Sequence, residues 1–295
     1  MSVTSKALAT VLVACGLSAA ACGGGAAAAG PARDAEPAPR AANPAAAPSG
    51  PATETTPATP ATAARTTPPA AGSTPAKPLS GKTVVIDPGH NGMNYKYPAK
   101  INKQVDVLTQ RKACDTTGTA TDSGYSEAAF TWDVSRRLAK ILESRGATVK
   151  LTRHGNDGVG PCITERAAIG NKAKADAAIS IHADGAGPAD HGFHVIIPKK
   201  IGGPVDPVVA DSRRLGLDIR NAYRSGTGVP YSTYIGSKAL SFRSDLGGLN
   251  LSTVPKVFIE TGNMRNAGDA AKLKSPEFRQ RAAAALAAGL QTYLR

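Results

Sequence analysis

The chain has 295 residues, 41% of them hydrophobic, with four cysteines, 22 prolines and a formal charge of +13. Residues 23–80 hold 20 Ala and 12 Pro, no Ile, Val, Phe, Tyr or Trp, and a single Leu, Leu79, so they cannot bury enough apolar surface to offset the entropy of ordering. What remains, 81–295, is ample for one α/β core; a multidomain enzyme, a coiled coil and a polytopic membrane protein are excluded, the last because no uninterrupted apolar run of about 18 residues occurs past the N-terminus.

Residues 1–22 read as an export signal: a short basic start ending at Lys6, an apolar run Ala7–Leu17, then the small residues 18–21. Ala19-x-Ala21 suits a signal peptidase. Cys22 follows at once, and Leu12-Val13-Ala14-Cys15 also fits a lipidation pattern, so a secreted protein and a lipid-anchored one both stay open. Either way the mature chain works outside the cytoplasm, in the periplasm or cell wall. Residues 23–80 then form a disordered Pro/Ala/Thr-rich linker of extended character.

From Lys82 the pattern changes. The β-branched run Thr83–Asp87 predicts a buried strand. Residues 91–124 are Gly-, Asn-, Thr- and Lys-rich with little periodicity, so a long excursion, in part a hairpin, is expected. It is either a wall or lid at the site's edge or a surface hairpin without a role in turnover. A helix starts near Ser126, an N-cap followed by Glu127 in the first turn. Its apolar residues Phe130, Val134, Leu138, Ile141 and Leu142 recur at spacings of three and four until Gly146. Further strands are expected at Thr148–Leu151, Ala177–His182, Phe193–Pro198 and Lys256–Glu260, with helices at Ile163–Ala175, Pro207–Tyr223 and Pro276–Leu294. Alternation of the two types predicts a mostly parallel sheet covered on both faces.

The globular part carries +11 of the charge, which suits acidic partners (nucleic acid, anionic lipid or an anionic cell wall) or simply a solvated basic surface, and charge alone does not choose among them. Nucleic acid is not expected as a partner: the basic residues come in pairs such as Arg136-Arg137 and Lys199-Lys200 rather than in runs, and aromatics are only 4%. Cys114 and Cys162 belong to no Cys-x-x-Cys motif. An even pair in an oxidising compartment reads as a disulfide, with two free buried thiols as the alternative.

Three expected strands end in residues that carry chemistry: Asp87-Pro88-Gly89-His90, Ile181-His182 and Ile259-Glu260. Glu127 opens the helix after the excursion. Ligands of open α/β sheets bind outside the carboxyl ends of the strands, so these side chains are expected at one rim. Two imidazoles and two carboxylates suit a catalytic zinc, with three N/O ligands and a further carboxylate acting on water. His154, His191 and His194 are weighed too, and read as polar loop or strand-edge residues. No His-Glu-x-x-His segment occurs.

The segments Val85–Gly92, Ser126-Glu127, Leu151-Thr152-Arg153, Ser180–Asp184, Gly192-Phe193 and Phe258–Asn263 together resemble the zinc-dependent N-acetylmuramoyl-L-alanine amidases of the amidase-3 family, in the family's order and across 82–295. The Ala/Pro-rich leader is similar to that of the actinobacterial, mycobacterial-type secreted members. The resemblance implies one three-layer α/β domain, a twisted, mostly parallel sheet of about six strands flanked by helices. It implies one zinc ion held by His90, Glu127 and His182, with Glu260 as the catalytic carboxylate. The implied reaction is cleavage of the amide between N-acetylmuramic acid and L-alanine, with peptidoglycan and muropeptides as partners, by a monomer without a membrane span. A non-catalytic wall-binding or regulatory protein on the same fold is the alternative, and loss of one of the four residues would be its signature. Two departures from the family pattern bear on subsites: Asn91 where many members have Gly, and Thr261-Gly262-Asn263 after the final Glu.

Overall fold

The computed structural model describes residues 77–295. The export signal expected at 1–22 and the linker from residue 23 to 76 lie outside the described residues. Strands β1 (Thr83–Pro88), β2 (Gln104–Asp106) and β3 (Arg111–Ala113) come first, with a short helix α1 (Pro98–Ile101) between β1 and β2. Then follow α2 (Glu127–Ser144), β4 (Thr148–Leu151), α3 (Ile163–Lys172), β5 (Ala177–Asp184), β6 (His194–Pro198), α4 (Val209–Thr227), β7 (Leu240–Arg243), α5 (Gly247–Asn250), β8 (Lys256–Asn263), α6 (Ala267–Lys274) and α7 (Pro276–Leu294). Among these residues no helix is long and apolar enough to cross a membrane.

Six strands form one sheet in the order β4-β1-β5-β8-β6-β7, and β2 and β3 form a separate antiparallel hairpin within the excursion. β4, β1, β5 and β8 run parallel. β6 is antiparallel to β8 and parallel to β7. The three-layer, mostly parallel architecture is therefore the expected one.

Alternation along the strands decides which face does what. Val84, Ile86, Ile179, Ile181, Val195, Ile197, Val257 and Ile259 all point to one face, where α2, α4 and α7 cover them with Phe130, Leu138, Leu215, Ile219, Tyr223, Phe278 and Leu286. Each such fully buried side chain is worth about 1.5–3 kcal/mol, so this face holds most of the stability. The residues between them, Asp87, Ser180, His182, Asp184, Lys256, Phe258, Glu260 and Arg243, face the other way and line a single cavity. On that second face α3 closes a small apolar cluster of Val85, Ala178 and Val254, and α5 lines the cavity beside β6 and β8.

Two expectations need correction. Leu79, read as linker, is fully buried in the main core, and its N–H donates to the Arg145 carbonyl at 2.9 Å. As the one large apolar residue of an Ala/Pro-rich segment it has burial to gain, so the fold already includes residues 77–80 ahead of the expected start at 81. β6 is an interior strand, and His194, expected at a strand edge or in a loop, is 1% exposed.

Candidate active site

The first strand delivers His90 through a loop whose parts each have a physical task. Asp87 is 3% exposed and accepts from Arg166 Nη1 (2.8 Å), Lys256 Nζ (3.0 Å), Ser180 Oγ (3.0 Å) and Thr152 Oγ1 (2.7 Å). Burial alone would raise its pKa; Lys256 and Arg166 outweigh burial and hold the carboxyl well below the usual range. Gly89 permits the approach of β5, because a Cβ there would stand 2.2 Å from His182 Cε1. His90 takes φ +56°, a conformation rare for a residue with a Cβ. Two buried arginines keep it there: Arg153 Nε donates to the Pro88 carbonyl (3.1 Å), and Arg166 Nη2 to the His90 carbonyl (2.8 Å).

Glu127 occupies the first position of α2, behind its N-cap Ser126, whose side chain accepts from the Ala129 N–H. Its two oxygens serve two histidines: Oε2 lies 3.1 Å from His90 Nε2 and Oε1 2.9 Å from His182 Nδ1. His182 sits near the end of β5, its ring stacked on Phe258. The far nitrogen of His90, Nδ1, is 3.1 Å from both Asp115 Oδ1 and the Thr116 carbonyl, which turns Nε2 toward Glu127. Among the described residues, His90, Glu127 and His182 form the group of His, Cys, Asp and Glu side chains able to hold a metal, with donor atoms within 4.8 Å of one another. Burial disfavours the charged His90 ring, but Glu127 and Asp115 overcome it and push the pKa up to about 10. Burial leads at His182 and lowers its pKa.

Glu260 lies on β8 directly beside His182, at register positions shared by the two strands. Its Oε2 is buried and has no hydrogen-bond partner. Burial, then repulsion from Glu127 and Asp184, raises its pKa well above that of an ordinary glutamate. A buried carboxylate without a partner, beside His90, Glu127 and His182, is placed to exchange a proton with a group held in the same cavity. The donor set fits zinc: two imidazole nitrogens and one carboxylate converge, Nδ1 of His90 has the outer partners that orient a ligating ring, and an unpartnered carboxylate oxygen faces the same space.

The four residues expected at the rim thus come together, while His154 and His191 stay in loops away from them and neither lines the cavity. His194 pairs across the sheet with Glu260, its Nδ1 lacks a partner, and burial lowers its pKa to about 4. The two departures from the family pattern have structural roles. Asn91 Nδ2 donates to Asp115 Oδ2 (2.9 Å) and its Oδ1 accepts from Arg166 (3.0 Å), tying the His90 loop to its orienting aspartate. Asn263 Nδ2 donates to the Gly187 and Asp190 carbonyls (2.8 and 2.7 Å), fixing the loop after β5. Sequence reasoning missed Asp115, Arg166 and Lys256 as site residues. The available signals were a cation opening an apolar strand, at Lys256, and an arginine on the buried side of α3. The cysteines were read as a pair, and Cys114 and Cys162 are joined, with Cα atoms 4.7 Å apart.

Comparison with known proteins agrees with this fold. A family model described as N-acetylmuramoyl-L-alanine amidase matches residues 84–292. Over 217 residues the chain is 39% identical to the N-acetylmuramoyl-L-alanine amidase Rv3717 of Mycobacterium tuberculosis, covering 73% of this chain and 88% of that one. Its fold matches the crystal structure of the amidase Ami1 from Mycobacterium smegmatis with TM-score 0.69 and 40% identity, over 73% of this chain and 98% of that one. It matches Ami1 from Mycobacterium abscessus with TM-score 0.68 and 42% identity, over 74% and 100% of the two chains. The chain belongs to the N-acetylmuramoyl-L-alanine amidase family.

Proposed function

We propose that this chain is a zinc-dependent hydrolase of the amide between the lactyl group of N-acetylmuramic acid and the first L-alanine of peptidoglycan stem peptides. The observation that carries the reading is the convergence of His90, Glu127 and His182 beside the unpartnered Glu260 oxygen, in one cavity of about 360 Å³. A zinc ion bound by those three residues supplies Lewis-acid polarisation of the scissile carbonyl and of water. Asp115 and the Thr116 carbonyl keep His90 Nδ1 engaged, so that Nε2 remains the ligating nitrogen. Glu260, fixed on a central strand with an unpartnered oxygen, takes a proton from the attacking water and returns it to the leaving amine of L-alanine.

The same reading assigns residues 1–22 to export, secreted or lipid-anchored, residues 23 onward to a Pro/Ala/Thr-rich tether, and the folded part to catalysis outside the cytoplasm as a monomer. Relatives named as cell-wall amidases support an extracytoplasmic site of action. The net positive charge of the folded part suits an anionic wall. All four residues whose loss would signal a non-catalytic wall-binding protein are present.

The test is a digest of purified peptidoglycan fragments with and without chelator, analysed for released stem peptide and free muramyl lactyl ends. Both products should appear, vanish with chelator and return with added zinc. Wall binding with no released peptide under any metal condition would overturn the proposal.

A further inference from the structure

The cavity does not end at the candidate zinc ligands. Past Phe258 it continues over Ile196, Leu246 and Leu249 to a wall formed by Lys112 of β3 and Arg243 of β7. Both cations are held by one carboxylate. Arg243 Nε and Nη2 donate to the two oxygens of Asp245 at 2.8 and 2.6 Å, and Lys112 Nζ to Oδ2 at 3.2 Å. The cations line the cavity and Asp245 stands behind them. Two positive charges share one negative charge, so this wall keeps an excess of one, and Arg243 Nη1 has no acceptor among the described residues.

The cavity's other cations, Arg166 and Lys256, are buried in ion pairs, while Glu127, Asp184 and Glu260 also line it. Asp87 is paired with Arg166 and Lys256, Asp115 with His90, and Asp184 accepts from Tyr234 Oη at 2.8 Å. What sets Lys112 and Arg243 apart is that they are the accessible cations of the cavity, next to an apolar floor. Lys112, Arg243 and Asp245 are each about one-third exposed, open to a solute yet fixed by their mutual bonds. β7 lies two strands from the β8 strand that carries Glu260, roughly 10 Å across the sheet. By register Arg243 stands level with Pro198 of β6 while Glu260 stands level with His194, about 13 Å further along. Two to three extended residues, at about 3.3–3.6 Å each, together with the reach of the arginine, span that gap.

We infer that Lys112 and Arg243 form a subsite for a carboxylate on the peptide portion of the substrate, at the second or third residue after the amide that is cut. The inference rests on the amidase reading above. A guanidinium and an ammonium side by side bind a carboxylate through charge-assisted hydrogen bonds, and they lose the charge component when a primary amide replaces it. The enzyme therefore distinguishes free-acid stem peptides from amidated ones.

The test uses the zinc-loaded full chain and synthetic muramoyl peptides in matched pairs. One pair differs only in carrying a free carboxylate or a primary amide at the second stem residue, and another differs in the same way at the third. The free acid of one pair should be cleaved with kcat/KM about 10-fold higher or more, mainly through KM, and added salt should erode that advantage. Lys112→Met and, separately, Arg243→Gln should each shift the acid-to-amide ratio toward one while zinc content stays at the parent value. Equal kcat/KM for acid and amide in both pairs would overturn the subsite and leave the amidase reading standing. Cleavage of none of the four peptides would overturn the amidase reading itself. The parent comparison needs no variant to fold.

Discussion

His182 and Glu260 are register neighbours on the parallel strands β5 and β8. A candidate metal ligand and the candidate proton acceptor are thus set side by side by the hydrogen-bond ladder of the sheet, and Thr261 Oγ1 donates to the His182 carbonyl at 2.7 Å to reinforce the pairing. Glu127 belongs to α2 and His90 to the loop after β1, so these ligands reach the same point from different elements. Sites built on strands hold geometry better than sites built on loops.

Metal content follows from that arrangement. An open site with three protein donors has no spare one. His90→Ala or His182→Ala should remove most of about one bound zinc per chain along with turnover, as read by elemental analysis of the purified protein. Full zinc occupancy in the double variant would end the assignment.

Glu260 separates from the ligands by the same measurement. Glu260→Ala should keep zinc and substrate binding while turnover drops on the order of 10²–10⁴-fold, the usual scale for losing a general base. Loss of zinc would make Glu260 a ligand, and unchanged turnover would remove it from the mechanism.

Asp87 governs acid stability. Its folded pKa is held below the unfolded value, so its contribution is present in full above about pH 4 and is lost as pH falls from there toward the folded pKa. Asp87→Asn leaves Lys256 buried without its counter-ion and Arg166 with Asp115 alone, which should cost about 3–5 kcal/mol at pH 7. It should also flatten the fall in stability below about pH 4. Urea unfolding of parent and variant at pH 7 and pH 3 measures both effects, and parent-like stability at pH 7 would refute the argument.

The parts of this site that local rules govern were legible in the sequence. Strand ends, an N-cap and a glycine beside a histidine mark His90, Glu127, His182 and Glu260, because period-two alternation and capping act over a few residues. Asp115 was not legible, since its tie to His90 crosses 25 positions and depends on how the excursion folds back. Arg166 and Lys256 escaped notice because their partner, Asp87, lies 79 and 169 residues away. β7 has four residues, Leu240–Arg243, too few for alternation to stand out, and it forms at the sheet edge by pairing with β6. α6 (Ala267–Lys274) is eight residues long, and only its Asn266 cap marked it locally.

The last prediction concerns residues 91–124, which lie between the first two candidate ligands. They form a fixed wall. Val107 is fully buried, and Asn250 Nδ2 donates to its carbonyl at 2.8 Å and to that of Ser244 at 2.8 Å. The Ile163 N–H donates to the Cys114 carbonyl at 2.9 Å, and the Cys114–Cys162 link joins the wall to the start of α3. Across a sequence separation of 48, the link restricts the unfolded chain by about 4 kcal/mol in the entropic model. Cys114 also precedes Asp115, which holds His90 Nδ1. The double variant Cys114→Ser, Cys162→Ser should therefore melt about 10 °C below the parent. Its turnover should fall as the orientation of His90 loosens, while zinc is retained because no ligand is a cysteine. Mass mapping of the unreduced parent should show the two cysteine peptides joined. Two alkylatable thiols in the native exported protein, or a melting temperature unmoved by the double substitution, would show that the wall is held by its hydrogen bonds alone.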